Sequence, residues 1–160
     1  MVVRMAAMTG NIEVRLAAAR DIAALLPLVE EYWRFEAIEG FDATGIAGLL
    51  KRVIADPALG RVWVASVDGQ PAGYLLAVFV FSLEHQGLTA EIDELYVAPQ
   101  YRGRGLGMRL LAAGEAAFRI AGCTNISLQI GRDNAAARAF YRGHGYEHRA
   151  GFDLVDKTLD

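Results

Sequence analysis

The sequence predicts one α/β domain built on a mixed β-sheet. Stretches in which apolar and polar residues alternate indicate strands, and stretches with apolar residues three and four positions apart indicate helices. The segment 88–130 reads strand, helix, strand, an order that predicts a parallel pair with a right-handed crossover. A length of 160 residues suits a single hydrophobic core. We therefore expect one domain over 1–160, with 1–10 as a loose N-terminal extension.

Strands and helices alternate along most of the chain, and Asp68-Gly69 predicts a hairpin turn between two strands. Strands are predicted over 12–16, 62–67, 72–82, 88–97 and 125–130, with one or two more over 146–156. Helices are predicted from Asp21 through Trp33 and over 44–55, 106–121 and 134–142. The expected sheet thus has six to seven strands and is flanked by about four helices.

Composition excludes several classes of protein. A net charge of −3 argues against a general nucleic-acid binder, which usually carries a basic excess. Cys123 is the single cysteine, so neither an internal disulfide nor a cysteine-rich zinc site can form. No apolar run reaches the roughly 18 residues of a membrane span, and no signal-length run opens the chain. We expect a soluble cytoplasmic protein that binds neither nucleic acid nor membrane.

Charge is divided unevenly along the sequence. Residues 1–99 carry 7 basic and 13 acidic side chains, whereas residues 100–149 carry 8 arginines and 3 acids. Chance and surface solvation explain such a division as well as function does. The functional interpretation is an anion site in the arginine-rich block and a cation site in the acidic one.

A glycine- and arginine-rich turn stands between a predicted strand and a predicted helix. It reads Arg102-Gly-Arg-Gly-Leu-Gly107. Glycines allow a sharp turn and a close approach of the backbone to a ligand. The N–H groups of a helix start favour a phosphate, and arginines add charged donors. The spacing matches neither the dinucleotide fingerprint GxGxxG nor the phosphate loop GxxxxGK[ST].

These residues resemble a known family. Arg102-x-x-Gly105-x-Gly107 is similar to the acetyl-CoA signature of the GCN5-related N-acetyltransferases (GNAT). Leu95–Pro99 resembles the strand that precedes this signature in the family. Asn134–Tyr141 resembles its second signature, and Gly143–Tyr146 the usual end of that segment. The resemblance covers about residues 12–156 and implies a GNAT-like fold.

The resemblance also implies how acetyl-CoA binds. In the family the pyrophosphate lies on the turn, which here comprises Arg102, Gly103, Arg104, Gly105, Leu106, Gly107 and Met108. The pantetheine arm pairs with the strand before the turn, here Leu95, Tyr96 and Val97, whose N–H groups can polarise the thioester carbonyl. Asn134 matches a position that contacts the same arm, and a helix cap is the alternative interpretation of this residue.

For catalysis, the resemblance implies that Tyr141, which also contacts the cofactor, is the general acid. A buried core tyrosine is the alternative. Counting back from the turn, Glu91 and Asp93 match positions at which different family members carry the acidic group or base. With a two-residue period Glu91 and Asp93 share a face with Leu95, and Glu94 lies on the other face unless a bulge intervenes. A cleft-rim role that only attracts a cation is the alternative for these acids.

Acidic and aromatic residues interleave near the end of the first predicted helix, a combination that suits a cationic acceptor. We predict Tyr32, Phe35, Glu36 and Glu94 as acceptor-binding residues. A solvated helix face is the alternative interpretation. The segment Ser82–Glu84 with the following strand resembles the diamine and polyamine members of the family.

The sequence therefore predicts an acetyl-CoA-dependent N-acetyltransferase acting on the primary amine of a small, cationic acceptor. A peptide N-terminal or protein lysine acetyltransferase, and a CoA sensor without turnover, are the alternatives. The resemblance adds homodimerisation as an expectation. The three histidines are scattered, so no metal is predicted, and Cys123 is interpreted as a structural thiol.

Overall fold

Two units, residues 10–128 and 129–159, make up the part of the chain that the computed structural model describes. Nearly all of the expected N-terminal extension, residues 1–9, lies outside the described residues. Whether residues 1–160 act as a single domain stays a prediction.

A mixed sheet of five strands forms the first unit, and its strand order follows the chain. Each of the first three strands pairs antiparallel with the next, and β5 pairs parallel with β4, as predicted. The strands are β1 (Ile12–Leu16), β2 (Gly60–Val67), β3 (Gln70–Ser82), β4 (Gly87–Val97) and β5 (Asn125–Leu128). The helices of this unit are α1 (Ile22–Phe35), α2 (Ala43–Ala55) and α3 (Leu106–Ile120).

The two faces of the sheet are covered by different helices. On one face, side chains of α1 and α2 form a buried cluster with Tyr74 and Tyr96 of neighbouring strands. On the other face, Phe118 of α3 packs edge-to-face against Trp63 and Phe79. Because successive strand residues point to opposite faces, the alternation in β3 and β4 decides which side chains reach α1 and α2.

The second unit contains α4 (Ala135–Gly143), whose first turn is capped by Asn134. The prediction of strands over 146–156 is wrong: this segment contains no strand in the described part of the chain. The sheet consequently has five strands rather than six or seven. A strand needs a hydrogen-bonded neighbour, and the apolar residues Phe152, Leu154 and Val155 remain exposed here. Each strand and helix predicted before residue 146 begins and ends within about two residues of its predicted bounds.

The start of α1 is fixed to β1 by one carboxylate. Arg15 donates two hydrogen bonds of 2.8 Å to Asp21, and the Ala18 backbone N–H donates a third of 2.7 Å. The hydrogen bonds from Arg15 are the main cause that lowers the pKa of Asp21 from 3.8 to about 2. The stability that the ionised group contributes is therefore present above about pH 4 and is lost as the pH falls towards 2.

We expect Asp21→Asn to lower the free energy of unfolding at pH 7 by about 1 kcal/mol. Urea unfolding between pH 2 and 7 would measure this, and the variant should show a shallower loss of stability at acid pH. Glu13→Gln is the control, because Glu13 lies 3.9 Å from Arg15 and is mostly exposed. An acid-induced loss in Asp21→Asn as steep as that of the unmodified chain would contradict the assignment.

Candidate active site

A β-bulge in β4 sets the geometry of the site. Opposite β3, Glu94 pairs with Leu76 and Ile92 pairs with Ala77, which leaves Asp93 as an extra residue. The extra residue resets the alternation. Asp93 and Glu94 both face the α1–α2 side, and Leu95, paired with Leu75, faces α3. Strict alternation separates Glu94 from Asp93, so the bulge is what brings the two carboxylates together.

The Glu94 carboxylate is held by two donors. The Trp33 indole Nε1–H donates to Oε1 at 2.9 Å, and the Tyr74 hydroxyl donates to Oε2 at 2.6 Å. Burial raises the pKa of Glu94, while both hydrogen bonds act in the opposite direction. Burial also raises the pKa of Tyr74, so its hydroxyl keeps the proton that it donates. Glu94 is thus held in a fixed position by two donors that favour its ionised form.

Asp93 differs from Glu94 because it is an exposed residue. The protein around its carboxyl group nevertheless displaces part of the water, and this desolvation raises the pKa of Asp93. The Asp93 charge in turn raises the pKa of Glu94. Asp93 is therefore a solvent-accessible carboxylate with increased proton affinity, next to a fixed anion.

Both carboxylates line a cavity of about 360 Å³ between α1, α2 and the sheet. Nine of its twelve lining residues are apolar, and the charged ones are Asp93, Glu94 and Arg52 of α2. The apolar lining consists of Val29, Trp33, Ile46, Leu49, Leu50, Val53, Leu59, Leu76 and Val78. A mostly apolar pocket with a few polar groups is typical of a small-molecule site.

The predicted acceptor residues divide into two groups. Glu94 lines the cavity, whereas Tyr32, Phe35 and Glu36 are not among its lining residues. The Tyr32 ring lies 5.9 Å from that of Tyr96, and Phe35 is exposed. Sequence reasoning missed Arg52 and most of the apolar lining, although Trp33 stands four residues after Val29, the spacing of one helix face.

The third predicted acid, Glu91, lies on β4 opposite Val78 and Ser127. It is not among the residues that line the cavity. Of the two acids that sequence left as alternatives for the base, Asp93 is the one on the cavity wall.

The glycine-rich turn follows β4 and leads into α3. Gly103 and Gly105 have φ angles of 72° and 79°, in the left-handed region that favours glycine. A Cβ at Gly103 would meet no atom within 4 Å, so the backbone there is accessible. The turn ends at Leu106, where the N–H groups of the first turn of α3 begin. This arrangement fits an anion such as a diphosphate.

The two arginines of the turn stack on aromatic rings. Arg102 Nε–H donates to the Val97 carbonyl at 2.9 Å, and the guanidinium lies 5.6 Å from the Tyr96 ring centroid and 5.8 Å from that of Phe35. Arg104 lies 5.8 Å from the Tyr101 ring. These contacts hold positive charge at the turn and connect it to the end of β4.

Beyond the bulge, one edge of β4 has no strand beside it in the ladders of the described residues. The parallel ladder with β5 ends at the pair Ile92–Leu128, while β4 continues to Val97. Leu95, Tyr96 and Val97 pair with β3 on the other edge. An extended ligand with amide groups could pair with this edge, which has no ladder partner.

In the second unit, Asn134 Oδ1 accepts a hydrogen bond of 3.0 Å from the Ala137 N–H, the cap that sequence analysis gave as an alternative. Tyr141 is buried, with ring centroids 5.2 Å from Phe140 and 5.3 Å from Tyr146. Burial raises the pKa of Tyr141 to about 12, so the phenol carries its proton at neutral pH.

The cysteine thiol and the metal-ligating side chains are the other groups that could carry chemistry. Cys123 is a free thiol whose pKa is raised by burial, which disfavours the reactive thiolate. Among residues 10–159, no group of three metal-ligating side chains comes together. None of the helices described in this chain has the length and apolar content needed to cross a membrane.

Comparison with known proteins finds relatives that are named N-acetyltransferases. The sequence is 29% identical to the uncharacterized N-acetyltransferase YhfO of Bacillus subtilis, over 87% of this chain and 92% of that protein. It is 34% identical to the aminoalkylphosphonate N-acetyltransferase of Salmonella typhimurium, over 84% of each chain. The matches to three other curated relatives cover 31% to 55% of the lengths of those proteins.

The fold is shared with the aminoglycoside N-acetyltransferase AAC(6')-Iy, whose crystal structure contains CoA. The TM-score is 0.82 at 14% identity, and the match covers 97% of this chain and all of the other. The sequence model of the Acetyltransferase (GNAT) family matches residues 23–146, more than three quarters of the chain. The chain therefore belongs to the GNAT family and is an N-acetyltransferase.

Proposed function

We propose that this N-acetyltransferase transfers the acetyl group of acetyl-CoA to the primary amine of a small, cationic acceptor. The observation that carries the proposal is the pair Asp93–Glu94, which the bulge directs into a cavity on the strand that leads into the glycine-rich turn. One strand thereby contributes to both substrate sites.

Acetyl-CoA, the acyl donor of GNAT acetyltransferases, supplies the activated acetyl thioester. The turn 102–108 would hold its pyrophosphate, since the positive φ angles, the start of α3 and two arginines together suit that group. The edge of β4 at Leu95–Val97 that β5 does not pair with would bind the pantetheine arm. Asn134, whose side chain caps α4, is proposed to contact the same arm as the resemblance implies.

Acetyl transfer requires a neutral amine, although an alkyl amine enters as the ammonium. The fixed Glu94 anion would bind the ammonium, and Asp93 would take one proton from it, directly or through water. The raised pKa of Asp93 supports this role because it brings the proton affinity of the base closer to neutral pH. Glu91 remains the alternative base.

Tyr141 would donate its proton to the thiolate that leaves when the C–S bond breaks. From ammonium to amide, nitrogen loses two protons. Asp93 takes the first before attack, and the second, released as the amide forms, would pass through water to restore the Tyr141 phenol, whose own proton the thiol now carries. A buried tyrosine that is protonated at neutral pH supports this assignment.

A small acceptor is supported by the size of the cavity, and the Salmonella relative acts, by its name, on an aminoalkylphosphonate. Tyr32, Phe35 and Glu36 remain proposed contacts for acceptors that extend beyond the cavity. Homodimerisation and a cytoplasmic location remain predictions from the sequence.

We expect Gly105→Val to weaken CoA binding by tenfold or more. A branched side chain is strained at the φ of 79°, and relaxing it moves the N–H groups at the start of α3. Isothermal titration with CoA would measure the effect. Gly122→Val is the matched control, because Gly122 has a φ of 80° immediately after the opposite end of α3. Equal losses of affinity in both variants would refute the assignment of the turn.

We expect Asp93→Asn to lower kcat/KM for the amine by about 10²-fold near neutral pH. In the unmodified chain kcat/KM should rise with pH as Asp93 loses its proton, and the variant should lose this ionisation from its pH profile. Glu91→Gln is the comparison, because it removes the acid that does not line the cavity. A larger loss in Glu91→Gln would transfer the role of base to Glu91.

We expect Tyr141→Phe to lower kcat by about 10²-fold and to leave the KM for acetyl-CoA within a factor of about two. Phenylalanine preserves the ring contacts with Phe140 and Tyr146 but removes the proton donor. Steady-state kinetics, with circular dichroism to confirm folding, would measure both parameters. Full turnover in the variant at every pH would exclude Tyr141 as the acid.

A further inference from the structure

The charges of the cavity are separated in a way that constrains its occupant. Asp93 and Glu94 belong to one wall, on β4, while Arg52 contributes from α2. Everything else in the lining is aliphatic or, at Trp33, aromatic. The lining therefore offers an ammonium one pair of carboxylates and offers the remainder of the molecule mainly apolar surface.

The carboxylates are suited to a single ammonium group. Glu94 already accepts from Trp33 and Tyr74, so its remaining capacity is limited to the lone pairs that these donors do not use. A second ammonium or a hydroxyl further along the acceptor would lose water against side chains such as Leu76 and Val78, which return no hydrogen bond. Burial of a polar group without a partner is unfavourable.

Arg52 adds a repulsive term for a second positive charge. It is exposed, and it makes no ion pair within the described part of the chain. Among the described residues, therefore, no carboxylate lies within ion-pairing distance of its guanidinium. An acceptor with ammonium groups at both ends would place one of them towards this guanidinium or on the apolar walls.

We propose that the acceptor is a primary monoamine with an apolar body, and that Arg52 is a specificity-determining residue against acceptors with a second ammonium. This inference rests on the proposed acetyl transfer and narrows its substrate class. The cavity of about 360 Å³ has room for roughly a dozen groups of the size of water, at about 30 Å³ each. An alkyl or arylalkyl amine of that size fills it.

Three amines with the same five-carbon chain test the proposal: pentylamine, the corresponding amino alcohol, and cadaverine, which has a second amine. Thiol release from acetyl-CoA gives kcat/KM for each. We expect kcat/KM for pentylamine to exceed that for both other amines by about tenfold or more. The hydroxyl of the amino alcohol loses water without gaining a partner, and the second ammonium of cadaverine loses water and is also repelled by Arg52. A preference for cadaverine, or equal use of all three, would refute the inference and leave the proposed function intact.

The variant Arg52→Glu separates the effect of charge repulsion from that of desolvation. We expect this variant to raise kcat/KM for cadaverine about tenfold relative to pentylamine and to leave the ratio for the amino alcohol unchanged. Lys51→Glu is the matched control: it makes the same change of charge at the adjacent exposed position of α2, outside the lining. An equal gain in Lys51→Glu would show a general surface-charge effect and would refute the role of Arg52.

Binding is measured separately, so that a failure of the inference can be distinguished from a failure of the proposed function. Trp33 lines the cavity and Trp63 is buried on the α3 face, so pentylamine should change the fluorescence of the unmodified chain but not of Trp33→Phe. Binding of pentylamine without turnover of any amine would support the cavity's preference and refute the proposed reaction. Neither binding nor turnover of pentylamine would refute the inference.

Discussion

The extra residue in β4 is the constraint on which the site depends. β4 has to supply apolar side chains to the α3 face and carboxylates to the α1–α2 face. Without the bulge, Leu95 and Ile92 would fall on opposite faces, and Glu94 would point towards the buried surface of α3. With it, Ile92 and Leu95 both face α3 while Asp93 and Glu94 share the cavity. The one-residue bulge thus places apolar side chains against α3 and both carboxylates in the cavity.

Glu94 also joins elements that are far apart in the sequence. Trp33 is 61 positions away and Tyr74 is 20, and both donate to this carboxylate. Removing either donor would leave this half-buried carboxylate short of a partner, at a cost of about 1 kcal/mol or more. Since Trp33 is near the end of α1, the same hydrogen bond that fixes the anion also fixes one wall of the cavity.

Much of the fold follows from local patterns, and much of the site does not. The hairpin at Asp68-Gly69 and the parallel pair β4–β5 are readable from turn residues and element order. The bulge leaves a trace as well: the apolar positions of β4 change from even numbers, ending at Ile92, to odd numbers, beginning at Leu95. The cavity depends on packing α2 against the sheet, so nothing near Arg52 in the sequence signals it. The strands predicted over 146–156 failed because alternation alone supplies no partner strand.

Acidic and aromatic residues near the end of α1 contact the residues that support the turn. Tyr96 donates a hydrogen bond of 3.2 Å to Glu31, and the Arg102 guanidinium stacks over Tyr96 and Phe35. Glu94 and Tyr96 are alternate residues on one face of β4, so their positions along the strand differ by about 7 Å. Glu94 supplies a carboxylate to the cavity, and Tyr96 supports Arg102 of the turn. Because the backbone fixes that spacing, the distance between the cavity and the turn is determined by β4 rather than by any mobile side chain.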